Sequence, residues 1–98
     1  MSPDILQKLQ EYFKTKPIIK AWIFGSYARG EEQPDSDIDI LVDFDKNSYP
    51  SLLSHAGMII DIEDLLGKKI DLVPDECLYP RLRPFVDADK ILIYEREG

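Results

Sequence analysis

Three groups of residues have types and spacing that can do chemistry: Gly25-Ser26, Asp37-Ile38-Asp39 and Asp71. Asp37 and Asp39 are two apart, so on a strand both side chains leave the same face. Close carboxylates without a counter-charge repel, and one of them tends to stay protonated. A third carboxylate worsens that conflict, and a divalent cation reverses it. Carboxylate oxygens suit Mg²⁺ or Mn²⁺, which also keep waters and bind phosphates. Two such ions about 3.5–4 Å apart can clamp the attacking and leaving oxygens of a phosphoryl displacement. Gly25 lets a phosphate approach the backbone closely. Ser26 offers a hydroxyl, and a helical turn after it offers free N–H groups to an anion. Arg29 is three residues on and can share the face of Ser26. It is placed either to contact a triphosphate or to brace the loop, and the residues alone leave both open.

Other phosphate motifs fail. Gly25 to Gly30 has the glycine spacing of a P-loop, but Glu31-Glu32 follow where Lys-Ser/Thr is required. No Rossmann glycine pattern is present. Taken singly, alternating acids on a strand usually mean a solvated face, and Gly-Ser is usually a turn. The joint order is more specific: a strand, Gly-Ser, ten residues, Asp-x-Asp on a strand, and an acid on a third strand.

The elements that must position these residues follow from periodicity. Asp4 is the expected cap of a first helix to about Lys16, with Ile5, Leu6, Leu9, Tyr12 and Phe13 on one face. Pro17 ends it. Ile18 to Phe24 reads as a buried strand, with Trp22 in the core, and Ser26 as the cap of a short turn through Arg29. Ile38 to Phe44 is the clearest strand. Ile38, Ile40, Val42 and Phe44 share one face, and Asp37, Asp39, Leu41 and Asp43 the other. Asn47 to Pro50 is a turn. Ser51 to Leu66 is the longest expected helix, with Leu52, Leu53, Ala56, Ile59, Ile60, Ile62, Leu65 and Leu66 as its apolar face, and Gly67 ends it. Lys69 to Val73 and Lys90 to Tyr94 are further strands, with a short helix over Tyr79 to Ala88. His55 is expected on a helix surface, Cys77 as a packing residue or spectator, and Asp43 and Asp45 as solvated. Arg81 and Arg83 are expected to be solvated, with reach to the anionic site as the other reading.

The order implies an α/β fold, a small mixed sheet of about four strands flanked by helices. If the first two strands pair antiparallel, the exit at Gly25-Ser26 meets the entry at Asp37. A helix of crossover length makes the second and third strands parallel neighbours, which brings Asp71 to the same end.

Composition narrows the function classes. The 98 residues fit a single domain, residues 1–98, with one modest core. A net charge of −7 argues against stable binding to nucleic acid, which needs a basic surface, but leaves a metal-bridged nucleotide open. A single cysteine and a single histidine exclude an internal disulfide, a cysteine-rich zinc site and a multi-histidine site. Neither a signal peptide nor a membrane-length apolar run is present, so a cytoplasmic protein is expected.

The stretch GSYARGEEQPDSDIDILVDF, residues 25–44, resembles the Gly-Ser-x10-Asp-x-Asp signature of the DNA polymerase β-like nucleotidyltransferase superfamily. It is most similar to the small stand-alone branch, the minimal nucleotidyltransferases (MNT). KKIDLVP at 68–74 resembles that branch's third-carboxylate strand, and LYPRLRPFVDADKILIYE its C-terminal end. The resemblance implies Mg²⁺-dependent transfer of a nucleoside monophosphate from an NTP such as ATP to a hydroxyl, with pyrophosphate released. It implies that Asp37 and Asp39 hold two metals, that Asp71 binds the catalytic metal and helps activate the hydroxyl, and that Gly25 and Ser26 hold the β- and γ-phosphates. It further implies an antitoxin that adenylylates a tyrosine of a HEPN-domain ribonuclease toxin. Larger relatives carry extra domains for their acceptor. A chain this short needs a partner protein or a second copy to bind a bulky one. The rival expectations are a binding module that neutralises its partner by contact alone, and a transferase acting on a small molecule such as an aminoglycoside.

Overall fold

The N-terminal pattern of apolar residues becomes a helix because Ser2, not Asp4, caps it: the Ser2 hydroxyl accepts from the Ile5 amide at 3.3 Å. Asp4 sits in the first turn, where its charge still favours the helix N-terminus. In the computed structural model, which describes residues 1–97, this helix is α1, Pro3–Phe13. It stops three residues before Lys16, in a turn closed by the Thr15 and Lys16 amides on the Tyr12 and Phe13 carbonyls. Leu9 and Phe13 are fully buried.

The chain continues as β1 (Ile18–Phe24), the one-turn helix α2 (Ser26–Arg29), β2 (Ile38–Phe44), α3 (Leu52–Leu66), β3 (Ile70–Pro74), α4 (Arg83–Asp89) and β4 (Ile91–Glu95). The helix expected over 79–88 divides into a 3₁₀ turn at Pro80–Leu82 and α4. Each proline stands in a first turn, where its missing N–H is tolerated.

The sheet order is β3-β2-β1-β4. β1 is antiparallel to β2 and β4, and β2 is parallel to β3, with α3 as the crossover between them. The crossovers from β2 to β3 and from β3 to β4 run in opposite directions across the sheet. Right-handed crossovers must then lie on opposite faces. α1 and α3 share one face, where Ile38, Ile40, Val42 and Phe44 meet Leu9, Phe13, Met58 and Ile62. The segment through α4 returns over the other face, where Leu41 and Val86 are buried outside that main cluster.

Two expectations about packing fail here. In α3 only Met58 and Ile62 are buried, with Ile59 and Leu66 packed against the core. Leu52, Leu53, Ala56, Ile60 and Leu65 are exposed, because one straight helix offers a flat sheet a single stripe and these residues lie off it. Trp22 is half-buried and outside the core, because β1 turns it towards the face that α1 and α3 do not cover; Lys90 Nζ lies 4.8 Å from its ring centre. Asp43 and Asp45, expected to be solvated, are half-buried, and Asp45 binds the Asn47 amide and Arg96.

α3 also holds the outer edge of β3. Glu63 Oε2 accepts from the Ile70 amide at 3.2 Å, and His55 Nε2 bonds the Leu72 carbonyl at 2.9 Å. His55 is therefore half-buried and packs edge-on to Phe44, rather than lying free on the helix surface. At the opposite edge, Gln10 Nε2 donates to the Ile93 carbonyl at 2.9 Å.

Candidate active site

The parallel pairing of β2 and β3 sets Asp39 directly beside Asp71, Cα partners in one register. Paired residues of neighbouring strands share a face. Asp37 lies just before β2, two residues from Asp39, and lines a separate recess with Pro34–Ser36 and Gly67–Lys69. On the other side of Asp39, the antiparallel register places Phe24, the last residue of β1. Gly25 and Ser26 follow it. The sheet thus gathers all the acids and the Gly-Ser step at one end.

Gly25 meets Asp39 through its bare backbone. Its φ of 71° and ψ of −151° lie in a region open essentially to glycine alone. A Cβ added there would collide with Asp39 Oδ2. The missing side chain lets the exit of β1 lie against the carboxylate. Gly25 is also the N-cap position of α2, so Ser26 is its first helical residue rather than its cap. Gly30, with φ 71°, ends the turn in the left-handed conformation, and the Glu31 amide closes on the Ser26 carbonyl at 2.9 Å.

Asp39 is half-buried, whereas Asp37 and Asp71 are exposed. Burial raises the Asp39 pKa above the ordinary carboxylate value, and the charges of Asp71 and Asp37 add to the rise. The Arg29 guanidinium opposes it. Among the described residues the acids do not close into a finished metal cage. Asp39 and Asp71 stand side by side on one face, and Asp37 is near enough for its charge to act on Asp39. The donor set is all oxygen, and the backbone at Gly25 is cut back against it. These residues fit a hard divalent cation such as Mg²⁺ or Mn²⁺.

Of the two readings of Arg29, the structure displays the brace. Its Nε donates to Glu31 Oε1 at 2.9 Å and its Nη1 to Asp89 Oδ2 at 3.2 Å, tying α2 to the end of α4. Sequence reasoning missed Asp89 as this partner. Sixty positions separate the two, and no local pattern marks the pair. Arg83 is neither solvated nor turned to the acids. Its two terminal nitrogens hold the Asp75 carboxylate at 2.8 Å and the Asp75 carbonyl at 2.7 Å. Arg81 is exposed. Two larger concavities, about 670 and 530 Å³, lie along Thr15–Pro17 with α3 and along β4, away from Asp37, Asp39 and Asp71. The cavity that contains Asp71 is smaller, about 210 Å³.

The sequence model of the nucleotidyltransferase domain matches residues 4–94. The chain belongs to that family. It is a minimal nucleotidyltransferase, an enzyme of the mixed α/β fold described above. The protein adenylyltransferase MntA of Thermococcus cleftensis is 46% identical over 72 residues, 74% of this chain and 68% of its own length. A Methanocaldococcus jannaschii protein, provisionally named a protein adenylyltransferase, is 39% identical over 92% of both chains. A solved structure provisionally described as a minimal nucleotidyltransferase aligns with a TM-score of 0.74 at 36% identity, over 93% of this chain and 95% of that one. A chain from the solved complex of a tri-AMPylated Shewanella oneidensis HEPN toxin with its MNT antitoxin shares the fold, with a TM-score of 0.73 at 17% identity, over 98% of this nucleotidyltransferase and 74% of that chain.

Proposed function

We propose that this nucleotidyltransferase transfers AMP from ATP to a hydroxyl of a partner protein, a tyrosine of a HEPN-domain ribonuclease toxin, and so acts as its antitoxin. The observation that carries the reading is the placement of Asp39, in register with Asp71 on one side and against the backbone of Gly25 on the other. The relatives named above as protein adenylyltransferases, and the AMPylated toxin held by an MNT antitoxin, support the acceptor class.

Asp37, Asp39 and Asp71 would hold Mg²⁺, which when bound offsets the charge of the phosphates and of the acids themselves. The chain's own residues do the rest. The Gly25-Ser26 backbone and the Ser26 hydroxyl bind the β- and γ-phosphates. Asp71 takes the proton of the acceptor hydroxyl as its oxygen bonds to the α-phosphorus. The bond from the α-phosphorus to the bridging oxygen breaks, and pyrophosphate leaves with that electron pair. Arg29 holds α2 in place and lowers the proton affinity of Asp39.

Calorimetry of ATP binding with and without Mg²⁺, on the wild type and on Asp37→Ala/Asp39→Ala, tests the site. Metal-dependent binding lost in the double variant is the expected result. Intact mass of the toxin after incubation with enzyme and MgATP then tests the transfer. No nucleotide adduct on the toxin refutes it, and neutralisation that survives the double variant assigns the antitoxin effect to contact alone.

A further inference from the structure

We propose that the shallow apolar cavity beside Asp71 is the acceptor's docking slot, and that the exposed side chains of Tyr79, Leu82 and Phe85 form the surface that grips the partner protein. This rests on the adenylyl-transfer reading above and adds the residues that choose the acceptor.

Position is the first argument. In the order β3-β2-β1, Asp71 and the Gly25-Ser26 step lie on opposite sides of Asp39. An in-line displacement brings the attacking oxygen in opposite the leaving one. With pyrophosphate held at Gly25-Ser26, the attacking hydroxyl arrives from the Asp71 side. The cavity opens on that side, with Asp71 the one carboxylate in its wall beside Val73, Leu78, Tyr79 and Leu82, and it reaches across to Phe24 at the end of β1.

Chemistry is the second. An apolar wall around one carboxylate suits an apolar body that carries a hydroxyl. A polyhydroxylated or cationic sugar would give up its water there with few hydrogen bonds in return. At about 210 Å³ the cavity has the size of one side chain, not of an aminoglycoside.

The rim is the third. Tyr79, 68% exposed, and Leu82, 42% exposed, line the cavity, and Phe85, 70% exposed, stands three residues beyond Leu82 in α4. Large apolar side chains gathered this way mark an interaction surface. The backbone that carries them is tied down: Arg83 binds Asp75 through two hydrogen bonds and pairs with Asp87 at 3.5 Å, joining the start of α4 to the turn after β3. The chain's net charge of −7 complements a basic surface, which a protein that binds RNA must have.

Cys77 supplies the test. It is the sole cysteine, it is exposed, and it lines this cavity. Its alkylation by iodoacetamide is followed by intact mass, with MgATP, with kanamycin, or with the HEPN-domain protein of the same genome at about ten times its Kd. The HEPN protein is expected to slow labelling about tenfold at that occupancy. MgATP and kanamycin are expected to leave the rate within about twofold. Tyr79→Ser and Phe85→Ser, at exposed positions where folding is little affected, are each expected to raise KM for the HEPN protein by about tenfold or more with the ATP Kd unchanged. Protection by MgATP alone would show that the cavity holds the nucleobase and overturn the proposal. Free labelling in the presence of a HEPN protein that does become adenylylated would overturn it while the transfer reading stands. Protection without any adduct would keep the docking surface and remove the transfer.

Discussion

Replacing Gly25 by alanine tests the site at its tightest point. The backbone there, φ 71° and ψ −151°, costs a residue with a Cβ about 1–3 kcal/mol. For a domain of this size that corresponds to a fall in Tm of roughly 5–20 °C. The new Cβ also strikes Asp39 Oδ2, so either the carboxylate or the exit of β1 must move. Gly30→Ala is the control. Its φ is also 71°, costing roughly 1–2 kcal/mol in the left-handed region, but a Cβ there meets nothing within 4 Å. Gly30→Ala should therefore lose stability without losing function, and Gly25→Ala should lose at least as much stability and function as well. The assay is thermal melting with and without MgATP. At about 100 times Kd, ligand adds about 2.7 kcal/mol to the folded state. Wild type and Gly30→Ala should show the resulting rise in Tm, and Gly25→Ala should not. A Gly25→Ala protein that keeps the full ligand-induced rise would refute the claim that this glycine shapes the seat of Asp39.

The other expectations are simpler. The raised Asp39 pKa means that the folded state holds that proton more tightly than the unfolded chain, so its contribution to stability is present below 3.8 and lost as pH rises through the higher folded value. In metal-free buffer, Asp39→Asn should melt above wild type at neutral pH, with the gap closing as pH falls, while losing Mg²⁺-dependent ATP binding; equal melting curves at pH 7 would contradict this. Arg29→Ala removes a charge that lowers the Asp39 pKa, so in metal-free buffer the pH dependence of melting that Asp39 sets should move to higher pH and return with Arg29→Lys. Ile62→Ala, in the core, should cost about 2–5 kcal/mol in denaturant unfolding, whereas Leu52→Ala and Leu53→Ala, 91% and 84% exposed, should stay within about 0.5 kcal/mol of wild type.

The parallel pairing of β2 with β3 and the meeting of Asp39 with Asp71 were readable because both depend on short-range facts. Alternation in Ile38–Phe44 assigns faces to Asp37 and Asp39, and connection lengths decide which strands run parallel. Asp71 then has one place to go. The errors came where local pattern carries no information about the neighbour. Leu52, Leu53 and Ile60 are apolar at helical spacing, but what covers a helix face depends on the sheet beneath it. Trp22 looks like core in an apolar strand until the second face of the sheet proves only partly roofed. The Arg29–Asp89 pair joins residues with no pattern between them, so only the folded chain reveals which role the structure gives Arg29.

The side chains that close the sheet's edges bear on how this small protein meets others. An edge strand presents free backbone groups to any extended chain, the usual opening for β-augmentation and for aggregation. Here His55 and Glu63 already occupy outward groups of β3, and Gln10 occupies one of β4. A foreign strand would have to expel these bonds before it could pair. Any slip of β3 would break the same bonds and carry Asp71 to the wrong face. One set of helix side chains thus guards against misassembly and keeps the third acid in line with the second.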